Sequence, residues 1–401
     1  MTPGDARPPH QPYGRLFQRF LRFGLLAWGG PVAQIAMIRR ELVEEERWIT
    51  PEHFNRVFAV YQVLPGPEAH ELCVYFGMRA RGRLGGVLAG LGFMLPGFVL
   101  IFALSWAYVR FGSGAAAFAA VFYGTQPAIA AVVVRAVHRI GGPILRDGWL
   151  WSVAVAAAAG AAAGISFLVS LPALGLAYVL RGRGRPLAAA GLIALVLAAA
   201  VASGYLGASG SALAAAGAPD RQPSLAELFA SGLRTGLLTF GGAYTAIPFL
   251  RGDAVGHGGW MTDDQFLDGL ALSGVLPAPL IIFGTFVGYI GGGPPGALAL
   301  TAGIFLPAFG LTLVAHDALE RLVSRPGLHT FLTGVTAAVV GLIAVAAVVL
   351  VRASVTDPWT LIIGALALLV LYRWHARFAI LVVVLGGAVA GWLVRAMQAG
   401  S

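Results

Sequence analysis

The stretch VLPGPEAHEL, residues 63–72, places two prolines, a glycine, two carboxylates and a histidine side by side. Glu68, Glu71 and His70 are groups that can carry protons. Burial or a nearby anion raises a carboxyl pKa, and imidazole titrates near neutrality. Pro65-Gly66-Pro67 interrupts a helix, so the residues after it begin a new one. A helix start offers unpaired backbone N–H groups and a positive dipole end, which suits an anion. The plain reading of Glu68 and Glu71 is that first-turn acids stabilise that helix start. Yet an ionised Glu68 would repel a dianion at the same end. The chemical expectation is that Glu68 or Glu71 takes a proton when an oxyanion binds, with His70 sharing the role. VLPAPL at 275–280 repeats the punctuation with Pro277 and Pro279, but Leu280, Ile281 and Ile282 follow. A proton site would therefore be asymmetric.

The surroundings read as lipid-soluble. Of 401 residues, 58% are hydrophobic and 11% charged, against about 25% charged in soluble domains. Apolar runs such as 85–109 and 378–394 are long enough to cross a bilayer. The expected class is an all-α polytopic membrane protein. All basic residues are arginine, in short clusters between apolar runs. Loop topology explains the net charge of +9 better than nucleic acid does. The single cysteine, Cys73, excludes an internal disulfide and a multi-cysteine metal site. No cleavable leader is evident, and no cofactor or metal is expected.

The chain is written twice. Residues 24–67 align with 236–279 without a gap, matching Gly29-Gly30 to Gly241-Gly242, Arg39 to Arg251, Trp48 to Trp260 and Pro65 to Pro277. After a one-residue slip, Gly77, Gly85, Gly92 and Pro96 match Gly288, Gly296, Gly303 and Pro307. The expected organisation is a polar tail at 1–14, a first repeat at 15–206, a linker at 207–224 and a second repeat at 225–397. RARGR at 79–83 faces the uncharged GGGPP at 291–295 in this alignment. Cytoplasmic loops are enriched in arginine, so the halves are expected to be inverted in the membrane. That threading divides the run 149–180 into two short crossings near Gly164. Inverted repeats are common in secondary transporters, with the site near the midplane.

Both copies carry a short helix that stops at membrane depth. Thr50-Pro51-Glu52 and Thr262-Asp263-Asp264-Gln265 read as helix starts. From cap to proline motif is about 14 residues, or ~21 Å, too short for a ~30 Å core. Non-helical backbone survives there only inside protein or against a wet cavity. The simpler alternative is a pair of kinked packing helices. Trp48 and Trp260 are expected at headgroup level. RRELVEEER at 39–47 reads as a solvated interfacial face with an Arg40–Glu44 pair, or else a cytoplasmic gate.

WGGPVAQIAMI, VLPGPEAHELCVYFG, GLGFMLPGF and TFGGAYTAIPFL with VLPAP resemble the long-chain, two-domain chromate transporters, over nearly the whole chain. The resemblance implies an inner-membrane protein exporting chromate, coupled to the proton motive force, with sulfate as a look-alike. It places Gly29, Gly30, Pro31, Pro65, Gly66, Pro67, Glu68, Gly241 and Gly242 at the family's motif positions. Trp28 stands where phenylalanine is usual, and Ala278 replaces the glycine of the second motif. Tetrahedral dianions need N–H donors, hydroxyls and arginines. Arg39 and Arg251, present in both copies, are the first candidates for positive charge, with snorkelling as the alternative. Tyr244 and Thr245, with Gln34, Ser273 and Thr285, are candidate neutral donors. Sulfate transport, a passive anion channel and a homodimer remain open. HExxH and GxSxG motifs are absent, so no enzyme is expected.

Overall fold

The computed structural model describes residues 11–28, 30–62, 64–111, 116–205, 222–239, 243–323, 326–374 and 378–399. The expected linker lies almost wholly outside them. The first half runs α1 (Tyr13–Leu25), α2 (Gly30–Arg39), α3 (Pro51–Tyr61), α4 (Glu68–Phe111), α5 (Ala116–Ile144), α6 (Gly148–Ala162), α7 (Phe167–Gly182) and α8 (Pro186–Tyr205). The second runs α9 (Leu225–Leu238), α10 (Ala246–Arg251), α11 (Asp263–Gly274), α12 (Phe283–Val323), α13 (Pro326–Ser354), α14 (Pro358–Arg373) and α15 (Ala379–Ala399). No strand occurs among the described residues. Five helical stretches are long and apolar enough to cross a membrane, and four shorter apolar helices accompany them. The chain is an all-α, multi-pass membrane protein.

The same local departures appear at matching places in the two halves. A π-helical turn follows α2 at Arg40–Glu45 and α10 at Gly252–His257. Arg22 pairs with Glu41 after the first, and Arg234 pairs with Asp253 at 2.8 Å after the second. Thr50 caps α3 through the His53 amide, and Thr262 caps α11 in a capping box with Gln265. The wide turn changes the ion pairs expected for 39–47. Arg39 meets Glu44 at 3.1 Å and Arg40 meets Glu45 at 3.3 Å, so the partner lies five residues on. The expected Arg40–Glu44 spacing belongs to an α-helix, and the π turn moves each partner along by one. Trp48 and Trp260 are buried in protein rather than at a lipid surface. The Trp48 indole donates to Glu46 at 2.8 Å, which tucks the ring under the turn.

At 44 residues, α4 would be about 66 Å long if straight. It is not straight. Arg81 and Gly82 leave helical geometry, Gly82 with φ of 65°, and the chain doubles back. Gly77 then lies against Gly85 and Ala89, so closely that a Cβ at Gly77 would collide with both. α12 folds back in the same way at Gly292-Gly293, and Gly288 lies against Gly296. Left-handed φ is the reason for glycine at 82 and 293.

The arm before each fold also packs back on the helix before it. His53 bonds Tyr75 at 2.8 Å, Phe54 stacks on Phe76, and Tyr61 meets Tyr75 edge-on. In the second half Phe266 packs on Phe283, and Gly269 lies under Phe286. Thus α3 and the first arm of α4 form a helical hairpin with its tip at 64–67, and α11 with the first arm of α12 forms another with its tip at 275–279. The run 148–182 divides at Gly164 into α6 and α7, as the sequence suggests. The long second arms of α4 and α12 cross antiparallel, Gly86 facing Leu313 and Gly90 facing Phe309.

Candidate functional site

The helix break at 62–67 ends α3 and lets α4 restart at Glu68. Gly66 adopts φ of 147°, and its amide donates to the Thr239 carbonyl of the other half at 2.8 Å. A Cβ there would sit 2.7 Å from a Glu71 oxygen and 3.4 Å from Ala308. The tip is therefore closed over Glu71 and seated on the proline-bearing arm of α12. The second tip does the reverse. Ala278 lies so close to Gly97, beside Pro96 on α4, that a side chain at 97 would collide with it. Trp28, at the first-half break, and Tyr244 join Ala278 and Ser273 around a cavity of about 40 Å³. Each half's hairpin tip thus rests on the other half, and the interrupted segments gather in one region.

Of the three proton-bearing candidates, His70 and Glu71 have no exposure and Glu68 has 9%. His70 is wedged edge-on between Phe305 and Phe309, with centroids 4.9 and 4.7 Å away. Both Glu71 oxygens lack a hydrogen-bond partner among the described residues. Glu68 differs from both. It lines a cavity of about 1,070 Å³ together with Pro31, Tyr244, Arg139, Arg146 and Arg181. Arg181 is engaged by Asp147 at 3.2 Å. Arg146 donates to the Pro143 carbonyl at 2.6 Å. Arg139 has no ion-pair partner among the described residues, and its charge acts on both Glu68 and Tyr244. The cavity therefore leads from an arginine-lined mouth to the first hairpin tip, and it can admit an anion.

The repeated arginines are placed elsewhere. Arg39 is half-exposed, paired with Glu44 and stacked over Phe54 at 5.7 Å. Arg251 is buried and holds Asp263 through two bonds of 2.7 and 2.8 Å. It lines a separate cavity of about 550 Å³ with Arg234, Asp253 and Trp260. Neither arginine lines the larger cavity. Thr245 is buried, and Gln34 donates to the Ala27 carbonyl at 3.0 Å, holding the first-half break. Ser273 returns its hydroxyl to Leu270, and Thr285 bonds Thr301. Pro65, Pro67, Pro277 and Pro279 lie within or at the ends of the two tips, and Gly30 opens α2. Gly29, Gly241 and Gly242 lie outside the described residues.

Arg139 was not found from the repeat, because its position on α5 has no arginine at the matching place in α13. The available signal was a helical one. Arg135 and Arg139 stand four apart, following the apolar run AIAAVVV. Arg251→Ala and Asp263→Ala should each lower thermal stability of the detergent-solubilised protein, since opening one side of a largely buried pair costs about 3–5 kcal/mol. Removing both partners should cost less than the sum of the two. Equal and additive losses would show that the pair is not coupled.

A family model for chromate transporters matches residues 14–203 and again 226–392. The chain belongs to the chromate transporter family. Members of the family are transporters, not enzymes. The chain is 56% identical to a chromate transport protein of Pseudomonas aeruginosa over 397 residues, 97% of this chain and 94% of that protein. It is 32% identical to a probable chromate transport protein of Synechococcus elongatus, over 94% of both chains. It is 30% identical to a chromate transport protein of Cupriavidus metallidurans, over 94% of this chain and 92% of that one. No solved structure matches the chain.

Proposed function

We propose that this chain carries chromate out of the cytoplasm across the bacterial inner membrane. The observation that carries the reading is the cavity joining Arg139 to Glu68 and Tyr244 at the first hairpin tip. Arg139 and the neighbouring hydroxyls supply donors to a tetrahedral dianion. The clusters at 135–146 and 181–185 border this cavity, and their charge favours a cytoplasmic mouth. The antiparallel second arms of α4 and α12 support an inverted pair of halves. α8 stands between the two matched halves, and counting it as one further crossing favours a second copy of opposite orientation.

The driving force follows from charge. Moving one elementary charge through 100 mV is worth about 2.3 kcal/mol, so a dianion leaving an inside-negative cell gains about 4.6 kcal/mol per 100 mV. That is about three orders of magnitude in concentration. Glu68 shares the cavity with the anion and must give up its charge or move aside when a dianion arrives. Protonation of Glu68 couples transport to pH as well as to voltage.

The 1,070 Å³ and 550 Å³ cavities share no lining residue. They lie toward opposite ends of α7 and α13. Separate cavities favour alternating access over a passive channel. The cavity is complete within one chain, so the reading needs no homodimer. Sulfate, similar in shape and charge, is expected to compete. The test is oxyanion flux in proteoliposomes with imposed voltage, pH and sulfate gradients. Chromate accumulation that follows the imposed voltage and is inhibited by sulfate supports the reading. Accumulation indifferent to both overturns it. Glu68→Gln should flatten the pH profile of the flux, and an unchanged profile would remove Glu68 from the coupling.

A further inference from the structure

We propose that Tyr244 is the partition between two stacked compartments of one anion path, and that the path leaves the protein at the second hairpin tip. The proposal rests on the transport reading above and assigns it an exit. Among the described residues, Tyr244 alone lines both the 1,070 Å³ cavity and the 40 Å³ cavity. α5 runs past both. Ile129, Val132 and Val133 line the small cavity, and Ala136, Arg139 and Ile140 line the large one. These positions recur every three or four residues, so they form one stripe down one face of the helix. From Ile129 to Arg139 is about 15 Å. The two cavities therefore lie in line along α5, and Tyr244 stands where they meet.

The internal repeat relates the open compartment to the closed one. Ile35, Phe58, Gln62 and Glu68 line the large cavity. Their counterparts in the second copy, Ile247, Leu270, Gly274 and Leu280, line the small one. Gln62 is exposed and Phe58 partly so, whereas Leu270 is buried. Matched positions thus face an open space in one half and a sealed space in the other. A volume of 40 Å³ holds about one water, so a tetrahedral dianion stops at Tyr244 in this state.

The small cavity has the lining of a shut gate. It is apolar apart from Tyr244, Ser273 and the Trp28 indole. Hydrophobic constrictions hold ions back by excluding water. In transporters built as inverted repeats, alternating access comes from one repeat moving against the other around a fixed site. Exchange of the two hairpin conformations opens the second tip on the far side and closes the first over Glu68. The 550 Å³ cavity stands off this line, since no described residue of α5 or α11 lines it.

The test uses the full chain in proteoliposomes, a membrane-impermeant thiol reagent and chromate as the probe. Leu270→Cys should be silent to reagent applied from the cytoplasmic side. Adding Tyr244→Ala should raise its reactivity from that side about tenfold, because the sealed compartment is then joined to the open one, whereas adding Tyr244→Phe should leave it silent. Native Cys73 is buried and reports misfolding if it reacts. The second arm does not depend on Tyr244. Gly274→Leu fills the small cavity, where the Ile129 side chain lies 3.2 Å from the Cβ position. Chromate flux should fall about tenfold or more, while chromate still slows labelling of Phe58→Cys from the cytoplasmic side. Val345→Phe, which fills the 550 Å³ cavity instead, should keep flux within about threefold. Leu270→Cys that stays silent in a folded Tyr244→Ala protein would overturn the partition. Full flux through Gly274→Leu, or an equal loss in Val345→Phe, would overturn the exit. A wild type without chromate flux would overturn the transport reading itself.

Discussion

Replacing Arg139 with glutamine should lower chromate flux by about 10- to 100-fold with the protein still folded. A hydrogen bond to a charged group is worth about 1.5–3 kcal/mol, and each 1.4 kcal/mol is about tenfold. Arg139 is the arginine of the cavity with no carboxylate or carbonyl already engaging it among the described residues, so its charge is available to a substrate. Arg139→Lys should recover part of the loss, because an ammonium keeps the charge but not the planar fork that spans two oxygens. Arg39→Gln should stay within about threefold, since Arg39 is paired with Glu44 outside the cavity. The measurement is initial chromate uptake into proteoliposomes at fixed voltage. An Arg139→Gln protein with wild-type flux, or an Arg39→Gln protein that loses as much, would move the anion site elsewhere.

Gly77→Val should abolish folded protein, whereas Gly82→Ala should leave it recoverable. The two glycines sit five residues apart and do different things. Gly77 lets the first arm of α4 lie directly on Gly85 and Ala89 of the second. A branched side chain there would force the arms apart, and overpacking of this kind costs about 1–3 kcal/mol or more. Backbone rather than a flexible side chain stands in its way, so the cost should lie at the high end. Gly82 has open space around its Cβ position, but φ of 65° with ψ of −164° is a backbone region essentially reserved for glycine, so alanine there costs about 1–3 kcal/mol of strain without any collision. The check is the monodisperse fraction of each variant after detergent extraction and size exclusion. Equal recovery of both would mean that the α4 fold-back does not depend on close arm contact.

The class of fold was legible because the bilayer imposes long apolar runs, and the helix breaks were legible because proline and glycine punctuate them. Thr50 and Thr262 marked helix starts that the structure contains. The fold-backs at Gly82 and Gly293 were not legible. Each lies within a run that reads as one helix, and the glycines at 77, 85, 288 and 296 looked like repeat markers rather than an arm-to-arm contact. The π turns were equally hidden, so the ion pairs of 39–47 came out one residue short. Among site residues, Glu68 and Tyr244 do meet in one cavity. Arg39 and Arg251 attracted attention because they recur, yet each is held by a carboxylate, Glu44 and Asp263, outside the larger cavity, and those partners do not stand at matching positions. Arg139 belongs to one copy only, and a search through repeated positions could not reach it.

The account stands on two halves running oppositely through the membrane. The direct measurement is labelling by a membrane-impermeant maleimide at single cysteines placed at Arg81 and Gly293, the two fold-back turns. Native Cys73 is buried and should stay silent. Arg81→Cys should label only from the cytoplasmic side and Gly293→Cys only from the opposite side. Labelling of both from one side would contradict the inverted arrangement.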